Sequence, residues 1–173
     1  MRVLGFDPGL RVTGYGCVEG DAARGILVEA GVIRLATGSG RAPSVAGRLL
    51  ELDRDAGAII DRLQPDAVAI ESIFVHGRFP ATAVAMGHAR GVLLLCAARA
   101  GLSVTELPPR EIKRAITGSG RASKPQMQRS VQTLFDLPEP PTPPDVADAM
   151  AIALAGLRRG AGAAQALGDT IGA

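Results

Sequence analysis

The chain has few aromatic side chains, few lysines and few cysteines. Its 173 residues include no tryptophan, one tyrosine and four phenylalanines, and only two of its 19 basic residues are lysines. Cys17 and Cys96 are far apart and lack the spacing of a zinc site or a redox pair, which excludes a disulfide-rich scaffold. We therefore expect two buried or unused thiols in a reducing cytoplasm.

Long uninterrupted apolar runs are also missing. Asp7 interrupts the first apolar stretch, so we predict no signal peptide. Residues 82–100 are apolar almost all round but contain His88, Arg90 and Arg99, so we predict that they do not cross a membrane. With 47% hydrophobic and 21% charged residues, the chain fits one globular, cytoplasmic domain.

Hydrophobic periodicity predicts an α/β fold with a mixed sheet, because three strands are followed by alternating helices and strands. The predicted strands are residues 2–7, 12–19, 25–35, 66–71 and 102–107. The predicted helices are residues 45–63, 82–100, 109–116, 123–135 and 145–157. A proline-rich connector spans residues 138–144. We expect residues 1–157 to form one domain and residues 158–173 to form a flexible C-terminal tail.

Two of the short apolar strands end in an acid. Asp7 closes the first strand before Pro8 and Gly9, and Glu71 closes the strand that begins near Asp66. An Asp-Pro-Gly sequence is by itself equally well explained as a turn without chemistry. A functional role for both acids requires their carboxylates to lie close together at one edge of the sheet.

Two further acids lie three residues apart at the start of the last predicted helix. Asp145 and Asp148 share one face of its first turn, where they equally suit helix capping. Four ionised carboxylates close together would repel one another unless divalent cations lay between them. Oxygen ligands without a histidine or cysteine cluster suit Mg²⁺ or Mn²⁺ better than Zn²⁺. Two such ions about 4 Å apart would promote hydrolysis of a phosphodiester.

Positive charge is concentrated in one segment, although the formal net charge is only +2. Between Arg110 and Arg129 there are six basic residues and one acid, Glu111. Both lysines, Lys113 and Lys124, lie in this segment. It is either a phosphate-binding surface or a solvated helix face.

Several motifs together resemble the RuvC Holliday junction resolvases. They are Phe6-Asp7-Pro8-Gly9, Arg11 to Gly16, Ala69-Ile70-Glu71, Ala89 to Val92, and Asp145 to Ala151. The resemblance covers about residues 2–157. It implies a ribonuclease H-like fold, with the mixed β-sheet flanked by helices, and acids of the active site at Asp7, Glu71, Asp145 and Asp148. It also implies an endonuclease that depends on Mg²⁺ or Mn²⁺, with two ions per site. Such an enzyme resolves four-way DNA junctions by paired symmetric nicks. Some members have histidine at the position of Asp145.

The resemblance also implies roles for residues that contact DNA. Phe74 matches an aromatic that stacks on a base at the junction centre, although a core position would explain it as well. Lys113 and Lys124 match lysines that contact phosphate near the scissile bond. The remaining predicted DNA-binding residues are Arg78, Arg114 and Arg121.

Partners follow from the same resemblance. The long helix of residues 82–100 corresponds to the element through which the family forms homodimers, and Gly87 and Gly91 would allow close approach there, with Met86 and Leu94 as apolar contacts. A central packing helix remains the alternative. A junction-binding and branch-migration complex of the RuvA and RuvB type is the other expected partner.

Three other classes share part of the pattern. Asp-x-Gly followed by Thr-Gly also resembles the first phosphate loop of sugar kinases and actin-like ATPases, which need a second lobe and a second phosphate loop. A junction-binding module without catalysis would produce no nicks with divalent metal. A related family of RNA-processing nucleases lacks the long helix and the basic segment in this form.

Overall fold

The computed structural model describes residues 1–35, 43–72 and 80–171; for residues 80, 81 and 161–171 it describes the backbone only. Five strands form one mixed sheet in the order β3-β2-β1-β4-β5. They are β1 (Arg2–Asp7), β2 (Val12–Gly20), β3 (Gly25–Arg34), β4 (Ala67–Glu71) and β5 (Ser103–Leu107). β1, β2 and β3 pair antiparallel, whereas β1, β4 and β5 pair parallel. The predicted mixed sheet is confirmed.

Helices cover both faces of this sheet. They are α1 (Val45–Leu63), α2 (Pro80–Arg99), α3 (Pro109–Thr117), α4 (Lys124–Leu134) and α5 (Pro144–Ile171). α1 and α2 pack on one face, and α5 with α3 and α4 packs on the other. Because β1 and β4 are covered on both faces, residues 3–6 and 67–70 are apolar without interruption before the terminal acid.

The side chains of the central strands differ in size between the two faces. Leu4, Phe6 and Ile70 point toward α1 and α2 and build a thick apolar layer. The opposite face carries small residues, so that a Cβ at Gly5 or Gly16 would overlap backbone atoms of α5. The backbone of α5 therefore lies directly against the sheet, and its position is fixed more tightly than that of a helix held by long side chains.

Local signals in the sequence explain most helix ends. The Ser44 side chain accepts a hydrogen bond from the Gly47 amide and begins α1, and Gln64, in the left-handed conformation, ends that helix before Pro65. Ser123 and Gln126 form a capping box that begins α4. Gly118, at φ 78°, ends α3.

The end of α5 is where the expectation and the structure differ. The sequence predicts a helix to Leu157 and a flexible tail over residues 158–173, whereas the backbone is helical to Ile171. The prediction of the helix end is wrong because glycines at positions 160, 162 and 168 cost a helix only about 1 kcal/mol each, and alanine-rich sequence without proline surrounds them. No helix in the described part of the chain is long and apolar enough to cross a membrane.

Candidate active site

Asp7 and Glu71 lie at the ends of adjacent parallel strands. Phe6 pairs with Ile70 in the register of β1 and β4, so the next residue on each strand is an acid at the same edge of the sheet. Side chains alternate along a strand, and Val3 and Ala69 belong to the apolar cluster on the α5 face. Asp7 and Glu71 therefore both project toward α5.

A glycine brings the start of α5 to the same place. Gly14 of β2 is the register partner of Asp7. A Cβ at Gly14 would overlap the carbonyl of Asp145, so the first turn of α5 lies against the strand at that point. Asp148 follows three residues later on the same face of the helix. The four predicted carboxylates thus come from three separate parts of the sequence to one edge of the sheet.

Burial and like charge act together on Asp7. Burial, followed by the negative charges of Asp148, Glu71 and Asp145 in that order, raises the pKa of Asp7 to about 7. Lys124 opposes this rise only in part. Asp7 consequently holds a proton over much of the range below neutral pH when no other cation is present.

The pKa of Glu71 is raised as well. Burial is the main cause, and the charge of Asp148 adds to it, while Lys113 and Lys124 lower it. The pKa of Lys124 is raised in turn, chiefly by its hydrogen bond with Asp148. Its Nζ atom lies 3.2 Å from Oδ2 of that carboxylate. Both lysines are therefore electrostatically coupled to the acids.

One pocket joins the acids to the basic segment. Glu71, Asp148, Lys113 and Lys124 line a cavity of about 220 Å³. Its remaining lining consists of Pro109, Ile112, Met127, Ala151 and Ile152. Asp7 and Asp145 do not line this pocket. Two cations and two anions on an apolar background can bind a phosphate on one side and divalent cations on the other.

The four carboxylates are ligands of the kind that a hard divalent cation prefers, although their side chains do not all point to one position. In the described part of the chain, no group of three or more histidine, cysteine, aspartate or glutamate side chains is arranged to hold a metal ion. The four acids nevertheless lie close enough for three of them to raise the pKa of Asp7. Oxygen-only donors of this kind select Mg²⁺ or Mn²⁺, and Lys124 provides the balancing positive charge at Asp148.

The other predicted DNA-binding residues divide into two groups. Phe74 and Arg78 lie in residues 73–79, outside the described residues. Arg114 and Arg121 do not line the pocket that holds the acids, and Arg121 lines a separate polar pocket between α3 and α4.

Two features of the site were not assigned from the sequence. One is the close contact between Gly14 and the backbone of Asp145, which can be recognised only once the pairing of the strands is known. The other is Gln126, whose side-chain oxygen accepts a hydrogen bond from the Ser123 amide at 2.8 Å and fixes the turn that carries Lys124. The spacing Ser-x-x-Gln is a sequence signal for such a capping box.

Known proteins with similar sequences and structures were compared with this chain. Residues 3–156 match the family model described as Crossover junction endodeoxyribonuclease RuvC. A protein of that name from Moorella thermoacetica is 45% identical over 154 residues, which is 89% of each chain. The structure of Thermus thermophilus RuvC in complex with a Holliday junction substrate is 32% identical, with a TM-score of 0.82, and covers 93% of this chain and 97% of the other.

A more distant structure shares the fold. The yeast mitochondrial Holliday junction resolvase Ydc2 superposes with a TM-score of 0.62 at 13% identity, over 90% of this chain and 78% of the other. Taken with the mixed five-stranded sheet and its flanking helices, these matches confirm the predicted ribonuclease H-like architecture.

Proposed function

Since this chain belongs to the RuvC family of crossover junction endodeoxyribonucleases, it is a metal-dependent nuclease that resolves Holliday junctions, and we propose that the four carboxylates at the strand ends form its hydrolytic centre. The observation that carries this proposal is the electrostatic one. Burial and three neighbouring acids raise the pKa of Asp7, and two of those acids, Glu71 and Asp148, line one pocket together with both lysines. Clustered acids of this kind destabilise a fold unless they bind cations, so a functional reason for them is required.

The residues that would hold the cations are Asp7, Glu71, Asp145 and Asp148. When bound, one or two Mg²⁺ or Mn²⁺ ions would lower the pKa of a water and stabilise the oxygen that leaves the phosphodiester. Ligation requires ionised carboxylates, so Asp7 must give up the proton that burial and its neighbours favour.

The lysines act on the substrate in this proposal. Lys113 and Lys124 lie on α3 and at the start of α4, and both project into the pocket beside Glu71. A DNA phosphate that enters this pocket would replace Asp148 as the partner of Lys124, because the ammonium can pair with either anion. The exchange neutralises the phosphate and releases Asp148 to bind a cation.

A junction-cleavage assay tests the hydrolytic centre. A labelled synthetic four-way junction is incubated with purified protein, with and without Mg²⁺ or Mn²⁺, and the products are separated on a denaturing gel. We expect nicks only with metal, and loss of nicks in Asp7→Asn. Asp61→Asn, an exposed acid near the end of α1, is the matched control. Metal-independent binding without any nick would indicate a junction-binding module instead.

We also propose that two chains act together through α2. One face of this helix is exposed over about four turns and is mostly apolar or small. It comprises Val84, Gly87, His88, Gly91, Leu95 and Ala98. Val84 is 58% and Leu95 47% exposed, and no atom of the described residues lies within 4 Å of a Cβ built at Gly87 or Gly91. A second copy of the chain, related by a two-fold axis, would cover this surface and supply a second active site for the second nick.

Family membership supports two further proposals. One is the number of cations, for which two per site fits four carboxylates. The other is a junction-binding and branch-migration complex of the RuvA and RuvB type as a partner. A pull-down of such a complex on junction DNA, with and without this protein, tests the second.

A further inference from the structure

We infer that the polar pocket between α3 and α4 binds a second phosphodiester group of the DNA strand that enters the active site. This inference rests on the proposed function and extends it to residues outside the catalytic pocket. The pocket is lined by Thr117, Ser119, Arg121, Gln126, Arg129 and Ser130, together with Ala122, and has a volume of about 420 Å³. Among residues 1–35, 43–72 and 80–171, no acidic side chain lines it.

The two arginines of this pocket have no acidic partner in the described part of the chain. Neither Arg121 nor Arg129 takes part in an ion pair there, whereas arginines at six other positions do. Both side chains are exposed. Two uncompensated guanidinium groups beside hydroxyl and amide groups form a site for an anion, since an arginine pairs with phosphate through two parallel hydrogen bonds.

The walls of the pocket are fixed relative to the catalytic lysines. The Thr117 hydroxyl donates to the carbonyl of Lys113 at 2.8 Å, and it accepts from the Ser119 amide at 3.1 Å. On the other side, the capping box of Ser123 and Gln126 holds the turn that begins with Lys124. An anion bound here would therefore keep a constant relation to a phosphate in the active site.

The position of the pocket favours DNA over a free anion. Lys124 and Met127 face the active-site pocket, whereas Gln126, Arg129 and Ser130 face this one. The two pockets thus lie on opposite sides of α4. A strand that leaves Lys124 and passes the N-terminus of α4 would reach Arg121 and Arg129, where the second site would bind a further phosphate of the same strand. Backbone contacts of this kind fix register without reading sequence.

Salt dependence of junction binding tests the inference. The affinity of the wild-type protein for a fluorescent four-way junction is measured by anisotropy between 50 and 200 mM KCl, without divalent metal that supports cleavage. Arg121→Gln and Arg129→Gln should each reduce the slope of log affinity against log salt by roughly 0.9, and the double variant by roughly twice that. Arg→Lys replacements should recover most of the slope, because the charge remains.

Arg24→Gln is the matched control. It removes the same charge from the turn between β2 and β3, at the opposite end of the strands from Asp7, and it should leave the slope at the wild-type value. Slopes for the Arg121 and Arg129 variants equal to that of the control would overturn the inference.

A second measurement separates the two sources of phosphate. Inorganic phosphate is titrated into the DNA-free protein by calorimetry. Binding that disappears in the double variant, together with an unchanged slope for DNA, would identify a site for free anions and overturn the inference. A wild-type protein that neither binds nor nicks junctions would overturn the proposed function and this inference with it, so the two failures are distinguishable.

Discussion

The Nζ atom of Lys124 lies 3.2 Å from Oδ2 of Asp148, so a proposed phosphate-binding lysine and a proposed metal ligand form one ion pair. Their side chains are 62% and 30% exposed. A pair that is solvated to this extent contributes at most about 1 kcal/mol to stability. It can therefore be exchanged at low cost for a phosphate on one side and a cation on the other.

Replacing this lysine should separate the two roles. In Lys124→Ala we expect cleavage of a four-way junction to fall by at least about tenfold, because a charge at the reacting phosphate is lost. The apparent affinity for Mn²⁺ should rise by up to about fivefold, the equivalent of the exposed ion pair that no longer competes for Asp148. The metal affinity is measured from the shift of the thermal midpoint with Mn²⁺ concentration. Unchanged cleavage and metal affinity together would assign Lys124 to a solvated surface.

Lys124→Arg should recover junction binding better than cleavage.

Removing the half-buried carboxylate of Asp7 should abolish chemistry while the fold survives. Asp7→Asn keeps the shape of the side chain but removes one donor from the site, so nicking should fall by roughly a hundredfold or more. Junction binding should persist, because the lysines and arginines are intact. The two quantities are measured by single-turnover cleavage and by anisotropy. Turnover near that of the wild-type protein would exclude Asp7 from the hydrolytic centre.

The same substitution should change how stability depends on pH. The pKa of Asp7 rises from 3.8 unfolded to about 7 folded, so its contribution to stability is complete below pH 3.8 and is lost as the pH rises to about 7. Without metal, Asp7→Asn should therefore be more stable than the wild-type protein, by an amount that grows between pH 4 and 7 and is then constant. One pKa unit corresponds to about 1.4 kcal/mol, which sets an upper bound of roughly 4 kcal/mol.

Urea unfolding at pH 5, 6, 7 and 8 in the presence of a chelator measures this difference. Mn²⁺ should reduce it in the same pH range, since a cation stabilises the ionised carboxylate. A difference between the two proteins that does not vary with pH would show that the burial of Asp7 has no effect on its ionisation.

The close approach of α5 to the sheet predicts a steric effect at Gly14. A methyl group there overlaps the backbone carbonyl of Asp145. A backbone group cannot avoid the overlap by a change of rotamer, as a side chain could. Gly14→Ala should therefore destabilise the fold by about 1–3 kcal/mol or more, and it should impair cleavage by displacing Asp145. Gly57→Ala is the control, because no atom in the part of the chain that the structure describes lies within 4 Å of its added Cβ on α1, and it should stabilise the protein by up to about 1 kcal/mol. Equal stability of the two variants would contradict the close contact between α5 and Gly14 of β2.

The exposed face of α2 predicts an effect on assembly rather than on folding. Gly87→Leu adds bulk where the single chain has open space, so the thermal midpoint should change little while the dimer dissociates. Sedimentation velocity at tens of micromolar gives the assembly state, and a junction with labels on two symmetric strands reports whether both are cut together. A wild-type protein that is monomeric with and without junction would refute the dimer proposal. An unfolded Gly87→Leu variant would indicate that α2 is internal.

The sequence predicted the parts of the site that depend on one strand or one helix turn at a time. An acid at the end of an apolar run, as at Asp7 and Glu71, already specifies a strand end, and register with the neighbouring strand then follows from the hydrophobic pattern. The position of Asp145 above Gly14 could not be predicted in this way. It depends on glycines in β1 and β2, at Gly5, Gly14 and Gly16, which let α5 lie against the strands. The spacing of apolar residues gives no information about such close contacts.

A second limit concerns the helix that is apolar on all sides. The sequence could not tell which face of α2 is covered, and it favoured Met86 and Leu94 as contacts of a partner chain. In the structure both are half-buried, and Leu94 packs against the core of its own chain, whereas Val84 and Leu95 are exposed. The positions of α1 and of the sheet decide which face of α2 is covered, and these positions are tertiary properties.

The placement of both lysines has a practical consequence for labelling. Every ε-amino group in the 173-residue sequence belongs to Lys113 or Lys124, and both line the pocket beside Glu71 and Asp148. A reagent that acylates lysine side chains therefore modifies this protein at the proposed active site, and the α-amino group of Met1 is the other amine it can reach. Attachment to a surface or dye through lysine would block the pocket, and protection from acylation would report its occupancy.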